Sequence, residues 1–397
     1  MSSSYSKDWQ LHELSDVCYF QEGPGLRNWQ YRETGIKFIN IRCIKEGAID
    51  TSIAQCLAAD EVHAKYKHFL LDEDDIVLSS SGTIGRAAVV KKEDLPLLLN
   101  TSVIRFRPLN YSLLDREYLY YFLQSRKFLE EILEQSQGSA QVNFGPTHLK
   151  QLQILLPPLP EQKKIAEILS GIDYCIEQLE REAAKYEALT QATLQEYPSR
   201  YFSEQVLLRD FANLQAGGTP DREQKSFWDG NIPWVKTGEV NYNLITSTEE
   251  YISEEGLQSS SARLLPAGSI LMAMYGQGVT RDKVAKLGIS ASTNQACLAI
   301  NSSDSRVSND YLYWILASKY EHLRSQVQEG TQKNLSKGIV GEQRIPLLDS
   351  RRQNEFCQLC SSFDGLTKLK REKVSALSKL KNSVASDLLS GRKRVGI

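Results

Sequence analysis

The sequence contains an internal repeat, and this feature restricts the possible folds more than any other. Four polar residues of the first half recur in the second half at a constant separation of 191 residues. The pairs are Gln141 and Gln332, Asn143 and Asn334, Gln162 and Gln353, and Asp173 and Asp364. Upstream blocks, such as YLYYFL at 118–123 and YLYWIL at 311–316, recur in the same order with slight drift in length. Such a long period predicts two copies of one module.

Each half also has the same internal order. Short β-rich runs with Gly- and Ser-containing turns come first, and one long helical pattern follows. We therefore predict an α+β fold in which two similar mixed α/β globular domains are separated by two long helices. The predicted segments are a first domain at 1–156, a central helix at 157–199, a second domain at 200–346, and a C-terminal helix with a basic tail at 347–397.

Apolar residues recur at heptad spacing in both helical segments, which is typical of a coiled coil. The first series is Ile165, Ile168, Ile172, Cys175, Leu179, Tyr186 and Leu189; the second is Phe356, Leu359, Phe363, Leu366, Leu377, Leu380 and Val384. We expect the first helix to begin at Pro160 and to end at Tyr197-Pro198, and the second to end at Gly391. A long helix must bury such a stripe, and the simplest partner is the other helix of the same chain. We predict that the two helices pair antiparallel, which would relate the two domains by a pseudo-twofold axis.

Charged residues interrupt both heptad series. Glu182 and Lys373 occupy the same heptad position in the two helices, and we hypothesise that they lie near the midpoint of the pair and help to fix its register. Each predicted helix has about 37 residues, or ~55 Å at 1.5 Å per residue. The alternative is that the helices are structural arms for dimerisation.

Composition limits the cellular setting and the chemistry. The net charge of −2 and the pI of about 6.3 count against a free-standing DNA-binding protein, because cationic side chains supply most non-specific DNA affinity. No apolar run approaches the ~20 residues needed to cross a bilayer, and the N-terminus lacks the apolar core of a signal peptide, so we expect a cytoplasmic protein. Cys357 and Cys360 form an isolated CxxC, which predicts buried thiols and no metal site.

These blocks resemble the specificity subunits of type I restriction–modification systems. The segment 207–240 is similar to the opening of that family's target-recognition domains, 155–169 (LLPPLPEQKKIAEIL) to the entry into its spacer helix, and 71–90 to a strand–turn segment within a recognition domain. The likeness covers nearly the whole chain. The second junction, 345–356, lacks the diproline and the acidic residue before Gln353, which puts the contact made at that junction in doubt.

The resemblance implies a chain without catalysis of its own. Each recognition domain would read one half of a bipartite, asymmetric target in double-stranded DNA, while the helices set the spacing and dock partners. The implied partners are two methyltransferase subunits and two restriction/translocase subunits. The complex would methylate adenine N6 and carry out ATP-dependent restriction. S-adenosylmethionine, ATP and Mg²⁺ would belong to those subunits, and no cofactor to this chain.

Candidate contact residues are polar side chains on glycine-containing loops and at the junctions between domain and helix, because Arg, Lys, Asn and Gln read base edges best. The DNA-binding candidates are Ser79, Ser81, Thr83, Arg86, Gln141, Asn143, Lys236, Thr237, Tyr275, Gln277, Arg281, Lys283, Gln332, Lys333 and Asn334. The partner-binding candidates are Gln162, Asp173, Gln353 and Asp364. The alternative for the loop residues is simple solvation, and for the junction residues it is turn capping.

The sequence disfavours two other classes of protein. A DNA methyltransferase needs an Asn/Asp-Pro-Pro-aromatic motif, and the only diproline, Pro157-Pro158, is preceded by Leu156 and followed by Leu159. A stand-alone DNA-binding or architectural protein with two reading heads would bind DNA tightly without partners, which the acidic pI disfavours.

Overall fold

The chain forms two compact units. A computed structural model describes residues 8–45, 47–135, 143–274, 283–319 and 335–396. Unit 1 consists of residues 1–179 together with 372–397, and unit 2 of residues 180–371. Each unit therefore contains one of the predicted globular domains and a part of each long helix.

Unit 1 is built on three sheets. Its strands are β1 Gln10–Glu13, β2 Cys18–Glu22, β3 Tyr31–Arg32, β4 Ile36–Phe38, β5 Gln55–Leu57, β6 Ile76–Ser79, β7 Ala87–Val89, β8 Leu97–Leu98, β9 Val103–Pro108 and β10 Gln153–Leu156. The main antiparallel sheet has the order β2-β9-β6-β7, and a smaller sheet has the order β3-β5-β4-β8. β1 pairs with β10 in a separate ribbon. Every residue of β6 is buried, as its run of Ile, Val and Leu predicts.

Unit 2 repeats this topology. Its strands are β11 Glu204–Leu207, β12 Ala212–Ala216, β13 Ile232–Val235, β14 Leu244–Ile245, β15 Glu250–Ile252, β16 Ile270–Ala273, β17 Val284–Leu287, β18 Ser292–Thr293, β19 Cys297–Ser302 and β20 Arg344–Leu347. The main sheet has the order β12-β19-β16-β17-β14, the smaller one β15-β13-β18, and β11 pairs with β20. The order of equivalent strands is the same in both units, so the duplication extends to strand pairing.

The helices are α1 Leu14–Val17, α2 Ala59–Glu61, α3 Arg116–Leu123, α4 Arg126–Gln135, α5 Pro146–Leu149, α6 Leu159–Tyr201, α7 Leu208–Phe211, α8 Glu254–Gln258, α9 Asn309–Ser318, α10 Lys337–Gly341 and α11 Ser350–Leu389. We call α6 the central helix and α11 the C-terminal helix. They contain 43 and 40 residues, which is longer than predicted. With strands and helices mixed in both units and a long helix between the two domains, the predicted fold class is confirmed.

The two long helices run antiparallel where they meet in unit 1. Lys381 Nζ on the C-terminal helix lies 2.6 Å from a carboxylate oxygen of Asp173 on the central helix. Arg394, just beyond the end of the C-terminal helix, binds Glu161 in the first turn of the central helix at 2.7 Å. Residue numbers therefore rise along one helix while they fall along the other.

The same antiparallel direction is found in unit 2. The rings of Tyr186 and Phe363 are stacked with their centroids 6.4 Å apart, and those of Tyr197 and Phe356 are 5.7 Å apart. The core of each unit joins the long helices to the sheet. In unit 2 the buried Phe356 packs with the sheet residues, and in unit 1 Ile165 and Leu389 do so.

A continuous heptad series of buried or half-buried positions runs along each helix. On the central helix it is Gln162, Ile165, Leu169, Ile172, Ile176, Leu179, Ala183, Tyr186 and Thr190; on the C-terminal helix it is Gln353, Phe356, Cys360, Phe363, Thr367, Lys370, Val374, Leu377, Lys381, Val384 and Leu388. The predicted stripe was partly wrong, because its members Cys175, Leu189, Leu359 and Leu380 are exposed. Two apolar series lie side by side on each helix, and spacing alone does not say which one is buried.

Three details of the helices differ from prediction. The central helix continues through Pro198 to Tyr201, because a proline in the last turn forfeits only one helical hydrogen bond while Tyr197 and Tyr201 pack on the core of unit 2. Glu182 forms its ion pair with Lys370. Lys373 is exposed, so the register role that we assigned to it is not supported.

The C-terminal helix has a capped start, and its predicted end at Gly391 agrees with the structure. Asp349 Oδ1 accepts a hydrogen bond from the backbone N–H of Arg352 at 2.9 Å and caps the C-terminal helix. Gly391 follows that helix with a φ of +73°, the left-handed conformation that glycine adopts most readily.

Candidate nucleic-acid interface

The loops that carry the predicted DNA-reading residues of unit 1 meet at one edge of the main sheet. β6 ends at Ser79 opposite Val103, where β9 begins, and β2 ends at Glu22 next to the same end of β9. β4 runs parallel to β8, so the segments that follow these two strands also lie together. We define the loop edge of unit 1 as residues 23–27, 39–42, 80–86 and 99–102.

One tight turn dominates this edge. The Ser79 hydroxyl donates to the carbonyl of Thr83 at 2.6 Å and accepts from the backbone N–H of Arg86 at 3.0 Å. Gly82 and Gly85 have φ values of +63° and +90°, which glycine tolerates without strain. Ser79 is fully buried and its hydroxyl is engaged, so the structure gives it a turn-forming role and does not support base reading by this residue.

The exposed members of that turn remain candidates for DNA contact. The side chains of Thr83 and Arg86 are exposed, and no hydrogen bond or ion pair of the Arg86 guanidinium is found among the described residues. Ser81 forms an isolated antiparallel bridge with Asn143, which brings the junction ahead of the central helix to the loop edge. Gln141 lies outside the described residues.

A glycine–asparagine contact that the sequence analysis missed occurs in both units. A Cβ on Gly23 would lie 2.5 Å from the backbone nitrogen of Asn100, and one on Gly217 would lie 2.2 Å from the carbonyl oxygen of Asn294. Only glycine allows these backbones to approach so closely. Both members recur at a separation of 194 residues, a signal that was present in the sequence. The loop edge of unit 1 and the equivalent edge of unit 2 therefore share this close approach of two backbone segments.

The equivalent edge of unit 2 presents different side chains. Thr237 and Asn294 exchange hydrogen bonds between their side chains at 3.0–3.1 Å. Lys236 Nζ lies 2.6 Å from Glu249 and 3.2 Å from Glu250, and these hydrogen bonds raise the pKa of Lys236. The ammonium group is thus charged but already paired, so a contact with DNA would have to compete with two carboxylates.

Other candidates of unit 2 are only partly described. Lys283 donates to the side-chain oxygen of Asn241 at 2.7 Å and lies 5.9 Å from the centre of the Tyr242 ring. Tyr275, Gln277, Arg281, Gln332, Lys333 and Asn334 lie outside the described residues. Their assignment stays a prediction.

The four candidates for partner binding fall into two groups. Gln162 and Gln353 are 1% and 2% exposed, and their amides are bonded within their own units, so their geometry does not support direct contact with a partner. Asp173 and Asp364 are partly exposed. Asp173 accepts from the Tyr121 hydroxyl at 2.9 Å and pairs with Lys381, while Asp364 pairs with Lys368 at 2.8 Å.

Large apolar side chains are exposed on the long helices beside the buried heptad series. In unit 1 these are Tyr174, 63% exposed, and Leu380, 51% exposed. In unit 2 they are Leu189, Leu359 and Leu369. Burying such side chains against another protein would be favourable, which makes them candidate contact residues for a partner.

The thiols and acidic residues do not form a metal centre in the described part of the chain, where no group of three or more His, Cys, Asp or Glu side chains could hold a metal ion. Burial raises the pKa of both Cys357 and Cys360 to about 12, which leaves them as unreactive thiols. Within the described ranges, none of the helices has the length and apolar character needed to cross a membrane.

Comparison with known proteins identifies the family. The family model described as the type I restriction modification DNA specificity domain matches residues 6–188 and again residues 203–379. The chain therefore belongs to this family, and each half matches the same domain. The two matches are the repeat that the sequence analysis detected.

Individual relatives are distant, and some of them match along nearly the whole chain. The type I restriction enzyme MjaVIII specificity subunit of Methanocaldococcus jannaschii is 21% identical over 98% of this chain and 94% of its own length. The EcoR124I/EcoR124II specificity subunit of Escherichia coli is 26% identical over 40% of each chain. The crystal structure of a type I S subunit from M. genitalium has the same fold, with a TM-score of 0.61, 15% identity, and coverage of 98% of this chain and 97% of that one.

Proposed function

We propose that this chain supplies the DNA sequence specificity of a type I restriction–modification complex, with each recognition domain reading one half of a split target. The observation that carries this proposal is the duplicated loop edge. Equivalent glycine–asparagine turns recur in both units. At equivalent positions beside these contacts, after the paired strands β4 and β13, one unit has Asn40 and Ile41 and the other has Lys236 and Thr237. A constant backbone with changed polar side chains is what two readers of different bases require.

The duplication explains why such a target would be asymmetric. A symmetric dimer reads a palindrome, because its two identical surfaces meet identical bases. Two fused and diverged copies keep a scaffold suited to two identical partners, while each copy is free to read its own sequence. The long helices, which belong in part to each unit, would then set the separation of the half-sites.

The catalytic work would belong to partner subunits. The exposed Tyr174, Leu189, Leu359, Leu369 and Leu380 offer apolar surface for docking one methyltransferase subunit on each unit. Those subunits would bind S-adenosylmethionine and methylate adenine N6, and two restriction/translocase subunits would use ATP and Mg²⁺. This chain would act by positioning them on DNA.

Partners would also contribute to DNA affinity. The chain has a net charge of −2, and Lys236 is already paired with two carboxylates. Phosphate contacts give most of the affinity of DNA-binding proteins, whereas base contacts give the specificity. We therefore assign base reading to this chain and much of the phosphate binding to the assembled complex.

The test is a domain replacement in the assembled complex. The chain is co-expressed with the methyltransferase subunit of the same organism's type I system, and the methylated motif is determined by sequencing. Replacing residues 200–346 with the equivalent domain of a relative should change one half of the motif and leave the other half intact. The matched control replaces residues 1–156 and should change only the other half. A change in both halves from either replacement, or failure to form a complex with the methyltransferase, would contradict the proposal.

A further inference from the structure

A buried glutamine fastens the central helix to the recognition domain of unit 1. The side-chain oxygen of Gln162 accepts a hydrogen bond from the backbone N–H of Asp115 at 2.8 Å. Its side-chain nitrogen donates to the carbonyls of Leu113 and Pro157, each at 2.9 Å. The side chain is 1% exposed, so all of these bonds are shielded from water. The amide thus ties the start of the central helix to the loop that precedes α3.

Unit 2 repeats these three hydrogen bonds and adds a fourth, from the Ser308 hydroxyl to the side-chain oxygen of Gln353 at 3.3 Å. The side-chain oxygen of Gln353 accepts from the backbone N–H of Ser308 at 3.0 Å. Its nitrogen donates to the carbonyls of Arg306 at 2.6 Å and Leu348 at 2.9 Å. Gln353 is 2% exposed and ties the start of the C-terminal helix to the loop that precedes α9.

A tyrosine strengthens each connection. The hydroxyl of Tyr118 on α3 donates to the carbonyl of Leu155 at 2.7 Å, and that of Tyr311 on α9 donates to the carbonyl of Pro346 at 2.6 Å. These carbonyls belong to β10 and β20, the strands that lead into the long helices. We call Gln162 with Tyr118, and Gln353 with Tyr311, the two mounting joints.

We propose that the mounting joints make Gln162 and Gln353 positioning residues that determine how many base pairs may separate the two half-sites of the target. The inference rests on the proposed function. One turn of DNA spans about 34–36 Å and 10–10.5 base pairs, so one added base pair moves the second half-site by about 3.4 Å and rotates it by about 35°. A rigidly mounted domain cannot follow this displacement, whereas a loosely mounted one can.

Hydrogen bonds suit this task better than the apolar contacts around them. An N–H···O bond weakens steeply when its angle departs from linearity, so three such bonds around one amide define an orientation. Apolar contacts are non-directional and stabilise a range of similar orientations. Both joints use the two donor hydrogens and the carbonyl oxygen of one glutamine amide, although the sequences around Gln162 and Gln353 differ.

The experiment removes the hydrogen bonds while keeping the volume of the side chain. Gln162→Met and Gln353→Met are each co-expressed with the methyltransferase subunit. The complexes are offered a DNA library in which the spacer between the two half-sites varies one base pair at a time. The ratio of methylation at the preferred spacer to that at the neighbouring spacers should fall about tenfold in either variant and further in the double variant. The bases read in each half-site should not change.

Controls separate positioning from general stability. Gln191→Met and Gln358→Met alter exposed glutamines of the same two helices and should keep the spacer preference of the unmodified protein. If a joint variant does not assemble, Tyr118→Phe and Tyr311→Phe weaken the same joints by one hydrogen bond each and should broaden the preference less.

Two failures can be told apart. An assembled, methylating joint variant that keeps the original spacer preference would overturn this inference and leave the proposed function intact. An unmodified complex that methylates no split target would overturn the proposed function, and this inference with it.

Discussion

The two units share their joints and turns but differ in their buried charges. In unit 1, the guanidinium of Arg105 donates to the carbonyls of Leu70 at 2.7 Å and His68 at 2.9 Å, and lies 3.4 Å from Asp75. At the equivalent positions of β19 and the turn before β16, unit 2 has Ala299 and Ser269. The main sheet therefore forms in both units, with a buried ion pair in one and without it in the other.

This difference shows which parts of the module are constrained. The joint and the glycine turns recur because they fix backbone geometry, which both copies need. Arg105 and Asp75, which we call the ionic cluster, hold only the segment before β6 in unit 1, so the cluster serves that unit alone. A buried ion pair is weak evidence for net stability, yet removing one partner alone is costly because the other charge remains buried.

The chain end provides a second contrast. In unit 1, the carboxylate of Glu161 is fully buried and is bound by the Trp9 indole N–H at 3.1 Å and by Arg394. The equivalent residue in unit 2 is Arg352, whose side chain is 43% exposed and lies over the Tyr201 ring. Arg394 therefore pairs with a buried carboxylate in unit 1, and unit 2 has no carboxylate at the equivalent position.

The largest effect is expected at the ionic cluster. Asp75→Ser, which introduces the residue of unit 2, should lower the free energy of unfolding by about 3 kcal/mol, because Arg105 stays buried without its carboxylate and Arg107 keeps only Asp72. Adding Arg105→Ala, so that both residues match unit 2, should restore at least half of this loss. Urea denaturation of the full chain measures both effects. The control Ser269→Ala loses one hydrogen bond to Pro266 and should cost about 1 kcal/mol. An equal loss in the single and double variants would show that the two residues are not coupled.

A smaller effect is expected at the chain end. Arg394→Ala should lower the Tm of the full chain by about 5 °C, since Glu161 would stay buried with only the Trp9 N–H as partner. The matched change Arg352→Ala removes an exposed ion pair and should lower the Tm by less than about 2 °C. Calorimetry compares the two. Equal shifts would show that the helix starts of the two units do not differ in how much they depend on an arginine.

The smallest effect is expected in the helix pair. Lys370→Glu places a second carboxylate beside Glu182 and should lower the Tm by about 2–3 °C. Lys373→Glu, three residues further on and exposed, should shift it by less than about 1 °C. Both shifts are expected to shrink in high salt, because exposed ion pairs are screened. A larger shift from Lys373→Glu than from Lys370→Glu would return the register role to Lys373.

Much of the fold could be predicted because it repeats. The separation of Gln162 from Gln353 and the heptads that follow them predicted two copies of a module and two paired helices. The functional site was harder to predict. Ser79 was assigned to base reading because it lies in a polar loop, but whether a hydroxyl points to solvent or closes a turn depends on the path of the backbone between Gly82 and Gly85.

The sequence by itself determined the duplication, the two long amphipathic helices and the order of the segments, because periodicity records which faces of an element avoid water. The tertiary structure decided which of two adjacent heptad series is buried and which cation pairs with Glu182. It also decided that Gln162 and Gln353 hold a domain in place, although their repeated positions had suggested contact with a partner. These outcomes depend on packing, ion pairs and hydrogen bonds between segments far apart in the chain, and such contacts leave no periodic signal in the order of residues.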